Sequence, residues 1–219
     1  MGDLARVMAA RNTAVMLKSV TFVLSFLLSM GAGLQTAPAP VSTPTATANG
    51  PEYTADGQMK MPEHYRDWVY LTTGFDMSYN PAMRMGHDMF DNVFVNPEAY
   101  KVFVATGTWP DKTVFVLEAR GAQTRGSINK QGNYQGELMG MEVHVKDARF
   151  PGNWAFFSFD DGKVSAKIPA TADCYSCHQA HAAVDTTFVQ FYPTLLPIAM
   201  SKGTLSANYL KDVAEPVAK

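Results

Sequence analysis

The sequence predicts an α+β domain: a mainly antiparallel β-sheet with flanking helices, and a C-terminal helix that carries Cys174-Tyr175-Ser176-Cys177-His178. Three observations lead there. Alternating runs of β-branched and aromatic residues follow one another with turns or a single helix between them, which is the order of an antiparallel sheet rather than of βαβ units. Asn96-Pro97 and Gly107 bracket one amphipathic stretch as helix start and stop. Apolar residues make up 47% of the 219 residues and aromatic ones 11%, enough for a core of one domain once the N-terminal tail is set aside.

In chain order, Arg6, Arg11 and Lys18 precede an apolar run from Val20 to Leu34. A basic start before a short apolar stretch reads as a signal peptide over residues 1–34, with an uncleaved membrane anchor as the alternative. Residues 35–50 are almost wholly Pro, Thr, Ala and Ser and read as a solvated tether. The folded domain is expected over residues 51–202. Residues 61–65 suggest a helical turn with Pro62 in its first turn, and residues 67–73 a strand. Residues 74–88 form a long Gly-, Pro- and Met-rich loop, a length that is often functional inside a compact domain. Strands follow at residues 90–95, 113–119, 134–145 and 153–159, with the helix of residues 96–106 after the first of these. Beyond the cysteines, residues 184–190 and 195–202 suggest short helices separated by Pro193, and residues 203–219 a loosely held tail.

The formal charge of −2 and pI near 6.2 provide no basic field for nucleic acid. Removing the leader makes the remainder slightly more acidic, and acidity this small selects no partner.

The chemistry concentrates at residues 174–178. Cys174 and Cys177 are the only cysteines, and C-x-x-C-H is the attachment pattern of a c-type haem. On a helix the two thiols and the imidazole, three and four residues on, share one face. Two thiols on that face can add to the two haem vinyl groups, with His178 as proximal iron ligand. A structural zinc site would want a second ligand pair, which the chain lacks. A redox C-x-x-C pair belongs in a βαβ pattern, which is also missing.

Tyr65-Arg66-Asp67-Trp68-Val69, Asn96-Pro97-Glu98-Ala99-Tyr100, Thr106-Gly107, Gly140-Met141-Glu142 with Val145-Lys146-Asp147, Gly152-Asn153-Trp154-Ala155-Phe156, and Cys174 to His178 with Phe191-Tyr192-Pro193 together resemble the cytochrome P-460 family. The resemblance implies one c-type haem per chain in a homodimer, with an open sixth position, and a periplasmic setting with a redox partner there. Its best-known members oxidise hydroxylamine and carry a lysine joined to the porphyrin edge. Their relatives, the beta-type cytochromes c-prime, lack that bond and bind nitric oxide.

The resemblance places the cross-linking lysine at Leu117, which has no nucleophilic nitrogen. Lys112, five residues away, falls on the other strand face. The expectation is therefore a cross-link-free cytochrome that binds small nitrogen oxides, with Leu117 and Phe115 walling the pocket from one strand face and Phe90 as a distal cap. Glu142 matches the distal carboxylate that the resemblance implies as proton acceptor, and a hydroxylamine-oxidising or peroxidase-like enzyme using it is the alternative. His144 shares the face of Glu142 but reads as a hydrogen-bonded structural histidine. His181 reads as close to a propionate or facing water. A ligand from Met83, Met85, His87 or Met89 would instead make a six-coordinate electron carrier.

Overall fold

A computed structural model describes residues 49–78, 88–160 and 162–214. Five strands, β2 (Val69–Phe75), β3 (Met89–Val95), β4 (Val114–Gln123), β5 (Tyr134–Lys146) and β6 (Trp154–Phe159), form one antiparallel sheet in chain order, with β1 (Met59–Lys60) paired to β7 (Val164–Ser165) as a separate two-stranded sheet. Helices α1 (Pro97–Thr106), α2 (Asp173–His181), α3 (Leu196–Lys202) and α4 (Ala207–Ala214) complete the described chain. The expected α+β class, with its mainly antiparallel sheet and the cysteine motif on a helix, is what folds. Among the described residues no helix is long and apolar enough to cross a membrane. The leader, and all of the tether but Asn49 and Gly50, lie outside the described residues, as do residues 79–87 with Met83, Met85 and His87.

Alternation sends each strand's side chains to two cores. Val114 and Val116 of β4 point into one, with Val143, Val145, Phe157, Tyr65 and Trp68. Phe115, between them, points into the other with Leu71, Val95, Trp154, Tyr192 and Leu195, where α1 adds Ala99 and Phe103 one turn apart. Both cores are needed, because a sheet with two apolar faces must cover each.

The bracket around α1 holds with one revision. Gly107 ends the helix at φ 77°, its N–H donating to the Phe103 carbonyl at 2.7 Å. A side chain there would meet Lys202 and Thr204 as well. Asn96 stands at the helix start but does not cap it with its side chain. Its Oδ1 accepts from the Val114 N–H (2.9 Å) and its Nδ2 donates to the Lys112 carbonyl (3.2 Å), so it aligns the entry of β4 instead.

Three expectations are corrected. Residues 184–190 are not a helix. Val184 and Thr187 exchange backbone hydrogen bonds around Asp185 at φ 53°, a tight turn, and a single 3₁₀ turn, Val189–Phe191, follows. Residues 207–214 are not a loose tail: α4 packs against α2, and Tyr209 and Leu205 join the core beneath. The helical turn expected at residues 61–65 forms later, at Tyr65–Asp67, because His64 takes a left-handed conformation (φ 58°).

Candidate haem cleft

Helix α2 presents the motif as spacing demands. Asp173 sits in its first turn, where a carboxylate suits the exposed N–H groups, and Cys174, Cys177 and His178 follow at helical neighbour positions. Both cysteines are half-buried free thiols. Burial, seconded by the nearby charges of Glu142 and Asp173, pushes the Cys174 thiol up.

His178 is the best-defined side chain of the site. Its Nδ1 lies 2.7 Å from the Thr186 carbonyl oxygen. A carbonyl only accepts, so Nδ1 carries the proton and Nε2 holds the free lone pair, the tautomer an axial ligand needs. The ring packs on Phe188 (centroids 4.2 Å) and meets Phe156 edge-on (4.7 Å). Burial holds its pKa below the ordinary value against the opposing Thr186 bond, which favours the neutral form.

Beside His178 opens a cleft of about 200 Å³. Its sheet wall follows from strand register. Val93, Leu117 and Glu142 are cross-strand neighbours on β3, β4 and β5, and Phe115, His144 and Phe156 are neighbours one row along. Thr72 and Gly74 of β2 and Asp91 of β3 extend the wall, and Phe188, Phe191 and Tyr192 face it from the segment after α2. Met77 also reaches the cleft.

Two carboxyl groups share this apolar surface. Burial raises the pKa of Glu142, with Asp91 and Asp160 adding repulsion, and burial alone raises that of Asp91. Glu142 is solvent-accessible at the cleft. His144, by contrast, is buried, stacked on Phe156 at 4.0 Å, with its Nε2 3.3 Å from the Thr186 hydroxyl. Burial, with the nearby His178 as a lesser cause, keeps His144 neutral.

Of the residues singled out from sequence, the fold brings Phe115, Leu117, Glu142 and His178 to one cleft, with Cys174 and Cys177 on the helix beside it. Phe90 is not among the lining residues. Alternation gives Asp91 and Val93 the cleft face of β3, and the Phe90 ring packs against Phe75, its partner across β2 (4.7 Å). Lys112 is also elsewhere, ion-paired to the buried Asp147 at 2.6 Å. No lysine lines the cleft among the described residues. His181 faces water and pairs with Asp212 of α4 (2.6 Å). Asp91, Val93, Phe156, Phe188 and Thr186 escaped the sequence reading. The first three were reachable only by carrying alternation from Leu117 across the sheet register.

The residues fit a c-type haem. Two unpaired thiols and a neutral imidazole share a helix face, that imidazole keeps one nitrogen free, and an aromatic and aliphatic cleft adjoins it. Among the described residues no three His, Cys, Asp or Glu side chains converge on a point that could hold an ion directly. Fold and site thus define a mono-haem c-type cytochrome built on an antiparallel sheet. The family model described as Cytochrome P460 matches residues 62–189, more than half of the chain and all five strands of the main sheet together with α1 and α2. The chain belongs to the cytochrome P460 family, and its cofactor is haem c. No curated protein matches the chain.

Proposed function

We propose that this cytochrome binds small nitrogen oxides, chiefly nitric oxide, at an iron position left to the ligand, and that it does so in the periplasm. When bound, the haem supplies an iron centre that takes diatomic ligands and exchanges single electrons, and the polarity and steric access around it decide which chemistry follows. Cys174 and Cys177 would anchor the group, and His178 would hold the iron through Nε2. The observation that carries this reading is Leu117. It lies in the cleft wall where the resemblance puts a cross-linking amine, flanked by Phe115 and Val93. A leucine there supplies no amine for a bond to the porphyrin edge, and its aliphatic surface suits a small neutral gas. Residues 1–34 would export the domain, and residues 35–50 would space it from the leader. A homodimer and a periplasmic redox partner complete the proposal.

A second reading has its own observation. The side chains of Glu142 and Asp91 form no ion pair or hydrogen bond among the described residues, and their environment favours proton uptake. Glu142 would then accept protons from a nitrogen substrate as general base in hydroxylamine oxidation. Titrating reduced wild type and Glu142→Gln with nitric oxide, alongside a hydroxylamine turnover assay, separates the two. Gas binding predicts equal affinities and no turnover above a free-haem control. Turnover in wild type that disappears in the variant makes the protein an enzyme and overturns the first reading.

A further inference from the structure

The turn Val184–Asp185–Thr186–Thr187 is held more firmly than a surface connection requires. Its ends exchange backbone hydrogen bonds (2.9 and 3.4 Å). The Thr187 hydroxyl donates to the Val184 carbonyl (2.8 Å) and accepts from the buried Trp109 indole (2.9 Å). Asp185, at the left-handed corner, takes the Lys146 ammonium at 2.9 Å. One residue of the turn then contacts two histidines: the Thr186 carbonyl meets His178 Nδ1 at 2.7 Å, and its hydroxyl meets His144 Nε2 at 3.3 Å. His144 and Lys146 are alternate residues of β5, so one face of one strand holds the turn at two successive points.

We propose that His144 and Thr186 are positioning residues for the axial imidazole. Strand β5 fixes the turn, and the turn fixes both the direction of the Thr186 carbonyl and the ring plane of His178. The ring contacts agree. His144 is stacked on Phe156 (4.0 Å, planes 10° apart) and stands edge-on to His178 (5.1 Å, 76°), while Phe188 covers another side of His178 (4.2 Å). These ring contacts and the bond to the turn together restrict rotation of the His178 imidazole. A partner beyond the ligand itself orients a metal-bound imidazole and raises its basicity, and losing such a partner commonly costs ten- to a hundredfold in metal affinity or activity. The proposal rests on haem c at His178 and is independent of which gas binds.

Thr186→Val removes the hydroxyl at nearly constant shape and keeps the backbone carbonyl. His144→Leu removes the other end of the same contact. Resonance Raman of the reduced holoprotein reads the iron–histidine stretching band directly. Both variants are expected to lower and broaden that band with full haem incorporation, and the double variant is expected to move it no further than the larger single change, because the two residues act as one unit. Asp185→Asn, which keeps a residue tolerant of the left-handed corner, is expected to shift the band less, in the same direction. A band in Thr186→Val that coincides with wild type overturns the proposal, and this variant decides the matter alone if His144→Leu does not fold. A wild-type protein without any iron–histidine band would count against the five-coordinate His178 haem on which the proposal rests, a separate failure.

Discussion

Lys112→Met separates a structural lysine from a haem-bonding one. Lys112 Nζ lies 2.6 Å from Asp147 Oδ1, and the Asp147 side chain is 1% exposed. Removing one partner of a buried pair costs ~3–5 kcal/mol when the remaining charge is stranded. Asp147 is not stranded, since Arg149 Nε stays at 2.9 Å, the Arg149 N–H at 3.0 Å and the Tyr53 hydroxyl at 3.2 Å. The loss is then that of one charge-assisted hydrogen bond, ~1.5–3 kcal/mol. The 26% exposure of the lysine brings it toward the low end, about 1.5–2 kcal/mol. For a domain of this size that is a fall of about 3–8 °C in Tm. Methionine keeps the stem length and the left-handed backbone cost at φ 65°, which glycine would relieve. Thermal unfolding followed by circular dichroism reads the shift, and the mass and visible spectrum of the haem peptide should not change. An unaltered Tm refutes the ion pair, and an altered haem peptide refutes the exclusion of Lys112 from the haem.

Glu142→Gln carries a pH signature of its own. A carboxyl whose folded pKa lies above its ordinary value binds more protons folded than unfolded between the two values, so its contribution to stability falls as pH rises through that window. Denaturant melts should therefore show the variant gaining on wild type as pH rises above the ordinary carboxylate value of 4.5, and a constant difference would contradict the raised pKa. Asp147 and Glu118 have the opposite sign. Burial opposes the charge of each, but Lys112 and Arg149 around Asp147, and Tyr65, Arg120 and Arg66 around Glu118, hold both below the ordinary range. Their stabilisation is complete above the ordinary carboxylate values of 3.8 and 4.5 and fades as pH falls through the lower folded ones. Asp147→Asn should accordingly lose less stability than wild type on acidification, as measured by urea midpoints. Phe103→Ala, at a fully buried site of α1, should cost ~3–5 kcal/mol and leave the haem spectrum intact. A spectral change would mean that α1 reaches the cleft.

What the sequence made legible was local. Cys174, Cys177 and His178 are close enough along one helix for spacing alone to place them, and Asn96-Pro97 with Gly107 bounded α1 to the residue. On β4 alternation paired Phe115 with Leu117 correctly. Partners set by register between strands were beyond it. Asp91 enters the cleft because β3 aligns Val93 with Leu117, and the same alignment turns Phe90 toward Phe75. Phe156, present in the sequence only as part of a resemblance motif, reaches the cleft through its row with His144 and Phe115. The apolar spacing of residues 184–190 imitates a helix. What prevents one is a set of distant partners, Trp109 on Thr187 and Lys146 on Asp185, that no local pattern encodes.

The function proposed here needs a haem held by His178, with its other iron position free, in a cleft lined by Leu117 rather than a lysine. The optical spectrum of the ferrous protein, recorded before and after nitric oxide, decides it. The expected result is a five-coordinate, high-spin spectrum that nitric oxide converts completely. A six-coordinate, low-spin spectrum indifferent to the gas would contradict it and point to a side-chain ligand, for which Met77 reaches the cleft among the described residues.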